Sequence, residues 1–421
     1  MSDAHYEATY LIETPLPLEN VAEVMAGEQS CGTFTRVEGE TDELRERARA
    51  NVVAIRDLGE VAQPAIRSAW LDRKNVPAPS RRGEVVVRFP VANVGVNLST
   101  LAATVAGNLF DLGEVTGLRL EALKLPGAYR KAYALPRQGI AGTRRLTGVA
   151  QGALVGSIIK PNVGLYADEI ASLVERLCAA GLDFIKDDEI AANPAHAPLS
   201  ARIPAVMAAV RRHQDRTGKH VMVAFNITDE TDAMRRHADL VAKEGGSCVM
   251  ASLNWCGFSA IETLRRSTDL VIHGHRNGYG AFSRHPALGI GFQAYQTLWR
   301  LAGVDHMHVH GLSGKFAQAD EEVVDSAKDC LTALCDGDDR VMPAFSSGQW
   351  AGTVEQTYRA VNTSDLLFMA GGGIMAHPGG PAEGVASIRE AWRAVEAGKS
   401  IDDARLRSRA LADAFAFFAK P

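Results

Sequence analysis

Residues 154–187 read LVGSIIK (154–160), PNVGLYADEIASLVERLCAAG (161–181) and LDFIKD (182–187), and this stretch decides the fold. The first and last pieces are strand-length apolar runs of the kind that fill a sheet buried on both faces. Between them Ile170, Val174, Leu177 and Cys178 fall on one face of a helix, and Gly181 stands where a helix cap belongs. The unit is therefore strand, helix, strand. Reading onward, the same alternation continues through HVMVAFN (220–226), SCVMAS (247–252), DLVIHGH (269–275), DHMHVH (305–310), VMPAF (341–345) and DLLFMA (365–370). Eight such units over about 245 residues match the size of a (β/α)8 barrel. An open doubly wound sheet would carry a glycine-rich phosphate loop after its first strand. Here that strand ends in Lys160-Pro161-Asn162 instead, and the GxGxxA string at Gly289–Ala294 lacks the strand–turn–helix setting of a dinucleotide site. The expected fold class is α/β, with the barrel over residues 139–421.

Residues 1–138 read as a smaller α+β domain. Strand candidates YEATYLIE, CGTFTRV, NVVAIRDL and EVVVRFPV are interspersed with helical LENVAEVMAG and LSTLAATVAGNLF, and LPRQGIAGTRRL is a possible linker. The 421 residues are 46% hydrophobic and 23% charged, the balance of a globular protein rather than a disordered or fibrous one. A formal net charge of −5 excludes the basic footprint of a nucleic-acid binder. No apolar run reaches membrane-spanning length, and the opening MSDAHYEATYLIE is too polar for a signal peptide, so a cytoplasmic protein is expected. The six scattered cysteines form no CxxC pair and are expected to be free thiols.

A barrel carries its chemistry at the carboxyl ends of its strands. Those ends supply Lys160 and Asn162, Lys186 to Glu189, Asn226, His275 and Arg276, His308 and His310, Ser346 and Ser347, and Gly371 to Gly373. The most informative string is Lys186-Asp187-Asp188-Glu189. Two carboxylates offer hard oxygen ligands suited to Mg²⁺, but a lysine beside them would repel a cation. The conflict disappears if the amine takes up CO2 as a carbamate and becomes a third oxygen ligand. A solvated charge run would give the same string. His306, His308 and His310 alternate and so are expected on one face of their strand, which keeps a zinc site open as a rival. The glycines 371–373 suit close backbone approach to a phosphate, and Arg276 and Lys315 are further anion-binding candidates.

Taken in order, GSIIKPNVGL, GLDFIKDDE, HGHR, DHMHVHGLSGK, MPAFSSGQW and MAGGGIMAHPGG resemble the large subunit of RuBisCO and the RuBisCO-like (form IV) proteins, and AGEQSCGTF and VAGNLF extend the resemblance into the amino-terminal half. The resemblance implies a Mg²⁺ site made by carbamylated Lys186 with Asp188 and Glu189, and a proton-handling Lys160. It implies substrate and phosphate contacts at His275, Arg276, His308, Ser346, Gly348, Gly371 and Gly372, and a mobile Lys315. It also implies that Glu28, Thr33 and Asn108 reach the barrel of a neighbouring subunit, hence a homodimer with shared sites. The departures are Asn162 where carboxylases have lysine, Phe34 for tryptophan, Tyr279 for histidine, and Ser346-Ser347-Gly348 for Ser-Gly-Gly.

Because the departures surround the substrate while the metal set is intact, the expectation is Mg-dependent enolate chemistry on a phosphorylated keto sugar or keto sugar acid. Decarboxylation or carboxylate transfer on a 3-oxo-isoapionate 4-phosphate-like substrate is favoured. Enolisation of 2,3-diketo-5-methylthiopentyl 1-phosphate or isomerisation of a methylthio-pentulose phosphate comes next, then ribulose bisphosphate carboxylation. From other classes, a zinc amidohydrolase has its histidines and lysine in the wrong strand order, and a non-catalytic regulatory protein would not need the intact Lys160, Lys186, Asp188 and Glu189.

Overall fold

All eight runs that define the barrel form strands. They are β5 (Leu154–Ile158), β6 (Phe184–Lys186), β7 (Met222–Asn226), β8 (Cys248–Ser252), β9 (Val271–His275), β11 (His306–His308), β12 (Met342–Phe345) and β13 (Leu367–Met369), all parallel and closed in the order β11-β12-β13-β5-β6-β7-β8-β9. The computed structural model describes residues 4–32, 36–76, 79–335 and 337–419. It divides into two units: Met1–Tyr133 with Gly278–Leu301 and Leu334–Asp336, and Ala134–Asn277 with Ala302–Ala333 and Gly337–Pro421.

In the first unit a five-stranded sheet has the order β10-β4-β1-β3-β2, from β1 (His5–Thr14), β2 (Asn51–Val61), β3 (Ser80–Pro90), β4 (Gly117–Lys124) and β10 (Leu288–Ile290). β1, β2 and β3 occupy the runs read as strands, and alternate residues Tyr6, Ala8, Tyr10 and Ile12 of β1 are fully buried, as a sheet with one covered face requires. Of CGTFTRV, residues 33–35 lie outside the described residues, and the flanking described residues are not in a strand. β10 was not anticipated. It is three residues long and joins this sheet by parallel pairing with β4, so the segment around the discarded GxGxxA string groups with the sheet.

The barrel interior follows from period-two alternation. Leu154, Phe184, Met222, Ala224, Cys248, Met250, Val271, Met342, Ala344, Leu367 and Met369 form one buried cluster together with Ile140. Ile140 belongs to the helix Gly139–Thr147, which replaces the linker expected there. The reason is local: Gly139 takes φ +52°, the N–H groups of Gln138 and Gly139 both donate to Asp305 Oδ1 (2.7 and 2.9 Å), and the helix seals the amino end with its apolar side. The helix Ala167–Ala179 buries the face read from sequence, and Gly181 follows it at φ +93°. All six cysteines are free. No described helix is long and apolar enough to cross a membrane.

Candidate active site

The alternation that fills the core also delivers the polar groups to the barrel mouth. Lys186 stands two residues beyond Phe184, His275 two beyond His273, and His308 two beyond His306, so each continues an inward-facing row. Lys186 is 1% exposed, and its Nζ donates to the Asp187 carbonyl (2.9 Å) and to Glu189 Oε2 (3.3 Å). His275 Nε2 lies 3.5 Å from the same Glu189 oxygen. Lys160 Nζ donates to Asp188 Oδ2 and to Asn162 Oδ1, each at 2.8 Å. Lysines 160 and 186, Asp188, Glu189 and His275 thus form one cluster. Burial pushes the Lys186 amine below the usual lysine range, against the opposing pull of Glu189, Asp188 and Asp187.

Asp187 has a different task from its neighbours. Its Oδ2 accepts from the guanidinium of Arg202 (3.1 Å) and from the Asn226 N–H (2.9 Å), while Asn226 Nδ2 donates to the carbonyls of Asp188 (3.0 Å) and Glu189 (3.1 Å). Arg202 also holds the carbonyls of Ala191, Ala192 and Ala197. These two residues fix the turn that presents Asp188 and Glu189. Arg202 was missed from sequence, although an arginine on a face shared with Leu199, Ile203 and Val206 was its signal.

The histidines do not make a metal site. His306 and His308 face the interior, where both pair with His273, at Nδ1···Nδ1 3.2 Å and Nε2···Nε2 2.8 Å. His310 was expected on their face, but it lies past the end of β11 at φ +68° and packs its ring against Phe316. Burial holds His306 down at about 3 and drives His273 and His308 well below the usual histidine range. Among the described residues no group of three or more His, Cys, Asp or Glu could hold a metal. At the mouth, Asp188 and Glu189 are two carboxylates beside the Lys186 amine, and so do not make such a group.

Comparison with known proteins now decides the lineage. The model of the ribulose bisphosphate carboxylase large chain catalytic domain matches residues 139–418, and that of its N-terminal domain matches residues 3–129. The chain belongs to the RuBisCO large-chain family. It is 46% identical over 419 residues, covering 99% of this chain and 100% of the relative, to a 3-oxo-isoapionate-4-phosphate transcarboxylase/hydrolase of Xanthobacter autotrophicus. A 3-oxo-isoapionate-4-phosphate decarboxylase of Rhizobium rhizogenes is 42% identical over 391 residues, covering 92% of each chain. A crystal structure of a rubisco-like protein from Burkholderia fungorum superposes with a TM-score of 0.94 at 61% identity, covering 99% of this chain and 100% of that one.

The remaining residues singled out from the RuBisCO resemblance divide into those at the barrel mouth and those elsewhere. Ser346 Oγ lies 3.1 Å from His308 Nδ1. Arg276 is buried and donates to Gln318 Oε1 at 2.6 Å, a partner that sequence reading did not pick out. Gly348 takes φ +82°, and a Cβ added at Gly372 would meet nothing within 4 Å, so the backbone there is open to a ligand. Gly371 follows β13 by two residues. Lys315 is exposed, with its ammonium 5.3 Å over the ring of Phe316 rather than at the carboxylates. Glu28 and Asn108 are exposed residues of the first unit, and Thr33 lies outside the described residues.

Proposed function

We propose that this RuBisCO-like enzyme acts on a phosphorylated keto sugar acid of the 3-oxo-isoapionate 4-phosphate type, by decarboxylation or carboxylate transfer. The observation that carries the proposal is end-to-end identity of 46% to a relative named for that substrate, with Lys160, Lys186, Asp188 and Glu189 all in one cluster. The donor set fits the cofactors the family implies. A buried amine held toward its neutral form is the nucleophile that CO2 needs, and the resulting carbamate would stand beside two carboxylates. Lys186 as carbamate, Asp188 and Glu189 would hold Mg²⁺, which supplies positive charge next to a substrate carbonyl.

The chain's own residues account for the rest. Lys160 carries an ammonium at the mouth, 2.8 Å from Asp188, and serves as the acid that returns a proton to substrate carbon. His275, against Glu189, and His308, against Ser346, shape the polar wall that binds and orients the substrate. Arg276 and the backbone at Gly348, Gly371 and Gly372 receive the phosphate. Lys315 faces the carboxylate that is lost or transferred, and swings in from its exposed loop. Glu28, Thr33 and Asn108 complete the site of a neighbouring subunit in a cytoplasmic homodimer. Asn162 argues against ribulose bisphosphate carboxylation, because it offers Lys160 an amide oxygen where carboxylases have a second ammonium.

The test is direct. Incubation with 3-oxo-isoapionate 4-phosphate, Mg²⁺ and bicarbonate should release CO2 or a carboxylated product, and chelation should stop it. No turnover on this substrate, beside turnover on a methylthio-pentulose phosphate, would replace the reading with the isomerase one.

A further inference from the structure

Three histidines inside the barrel link its sealed amino end to its mouth. The contacts run from Thr143 Oγ1 to His306 Nε2 (2.7 Å), His306 Nδ1 to His273 Nδ1 (3.2 Å), His273 Nε2 to His308 Nε2 (2.8 Å) and His308 Nδ1 to Ser346 Oγ (3.1 Å). Every member is buried. In addition, the Thr143 hydroxyl lies 2.6 Å from the Gly139 carbonyl oxygen one helical turn earlier. A carbonyl can only accept, so the hydroxyl hydrogen of Thr143 is committed to it. That single commitment sets every later proton.

With its hydrogen spent, Thr143 accepts, and His306 must donate from Nε2. Neutral His306 then has a bare Nδ1, which His273 fills by donating from its own Nδ1. His273 Nε2 is bare in turn, so His308 donates from Nε2 and offers Nδ1 as the acceptor for Ser346. One hydrogen each on Thr143, the three neutral rings and Ser346 fills all five bonds, with none left over. Burial favours the neutral rings that this count requires. The reverse order would set the Thr143 oxygen against the Gly139 oxygen with no hydrogen between them. The chain is also no route for protons, because it ends on a carbonyl that can neither take one up nor pass one on.

We propose that Thr143, His306, His273 and His308 are positioning residues that lock the Ser346 hydroxyl inward, so that Ser346 meets the substrate as an acceptor only. The group it selects is then a hydroxyl or another hydrogen-bond donor, and it disfavours a phosphate, carboxylate or keto oxygen at that point. This deepens the proposed function, since it rests on Ser346 as a substrate contact in that site.

The experiment reads the tautomers directly. Two-bond ¹H–¹⁵N correlation spectra of the full-length protein, ¹⁵N-labelled at histidine and loaded with Mg²⁺ and bicarbonate, should show neutral His306 and His308 protonated on Nε2 and His273 on Nδ1. Thr143→Val removes the acceptor that sets the order. An unfilled ring nitrogen costs less than a buried orphan N–H, so the chain should reverse and His308 should move its proton to Nδ1. Thr143→Ser should keep the original pattern. In kinetics, Thr143→Val should lower kcat/KM on 3-oxo-isoapionate 4-phosphate by about tenfold, the scale of one misdirected hydrogen bond, and Thr143→Ser should restore it. A proton on Nδ1 of His308 in the unmodified protein, or an unmoved His308 in Thr143→Val, would overturn the proposal. Absence of turnover in the unmodified protein would remove only the substrate assignment, because the spectra decide the lock without substrate.

Discussion

Buried charges at the two ends of the barrel are treated in opposite ways. At the amino end, Asp305 precedes β11 and accepts from the N–H groups of Gln138, Gly139 and Ile272 and from the Arg265 guanidinium at 2.9 Å. Asp183 precedes β6 in the same way, accepting from the Val155 N–H with Lys219 and Arg389 beside it. Both acids staple a neighbouring strand to their own and are surrounded by donors. At the carboxyl end, Lys186 is as deeply buried as either acid, yet among the described residues its ammonium finds one carbonyl and one carboxylate oxygen at 3.3 Å. The amino end surrounds its buried charge with donors, and the carboxyl end leaves a buried amine with few partners.

The largest test of this contrast replaces each buried group by an apolar one. Lys186→Met should abolish turnover, a loss of about a thousandfold or more if several kcal/mol of charge stabilisation disappear with the proposed metal site. Its melting temperature should hold or rise, because a buried amine with few partners has gone and its carboxylate partner Glu189, 35% exposed, keeps its contact with water. Arg265→Met should do the reverse and lower unfolding free energy by about 3–5 kcal/mol, read in urea titrations, because it strands Asp305 without its cation. If Lys186→Met were the less stable variant, the two ends would be doing the same work and the contrast would fail.

A smaller effect follows from the histidines between the two ends. His306 is held down at about 3 by burial, whereas an exposed histidine titrates near 6.5. Between those values the unfolded chain binds a proton that the folded chain does not, so stability is full above about 6.5 and falls as the pH drops toward 3. At pH 5 this one ring should cost on the order of 2 kcal/mol. Urea midpoints measured at pH 7 and 5 should show the drop, and His306→Gln should flatten its slope.

Much of this was open to reading in the sequence, and the exceptions share a cause. Strand positions were legible because the runs are long, apolar and evenly spaced, and the KDDE string announced by its chemistry the charged cluster that gathers at the barrel mouth. The helix Gly139–Thr147 looked like a linker because its helical start rests on hydrogen bonds to Asp305, more than 160 residues away. β10 escaped because three residues paired to a distant strand carry no periodicity. His310 was assigned to the wrong face because alternation holds only while the strand lasts, and β11 stops at His308. The staples could have been found: an aspartate stands directly before the apolar strand residues at 183 and 305, a buried position where a packing residue alone would be apolar.

The finest test lies at the mouth itself, where Lys160 divides its ammonium between Asp188 and Asn162. The lysine side chain is 39% exposed, so water can replace the amide oxygen, while the contact to buried Asp188 remains. Asn162→Ala should therefore change unfolding free energy by less than about 0.5 kcal/mol, as surface substitutions do. It should lower kcat/KM by about twofold to fivefold, the worth of one solvent-accessible hydrogen bond that orients Lys160, the proposed proton donor. A larger loss in activity would mean that Asn162 touches the substrate as well as Lys160. A larger loss in stability would mean that the mouth is braced like the amino end, against the distinction drawn between them.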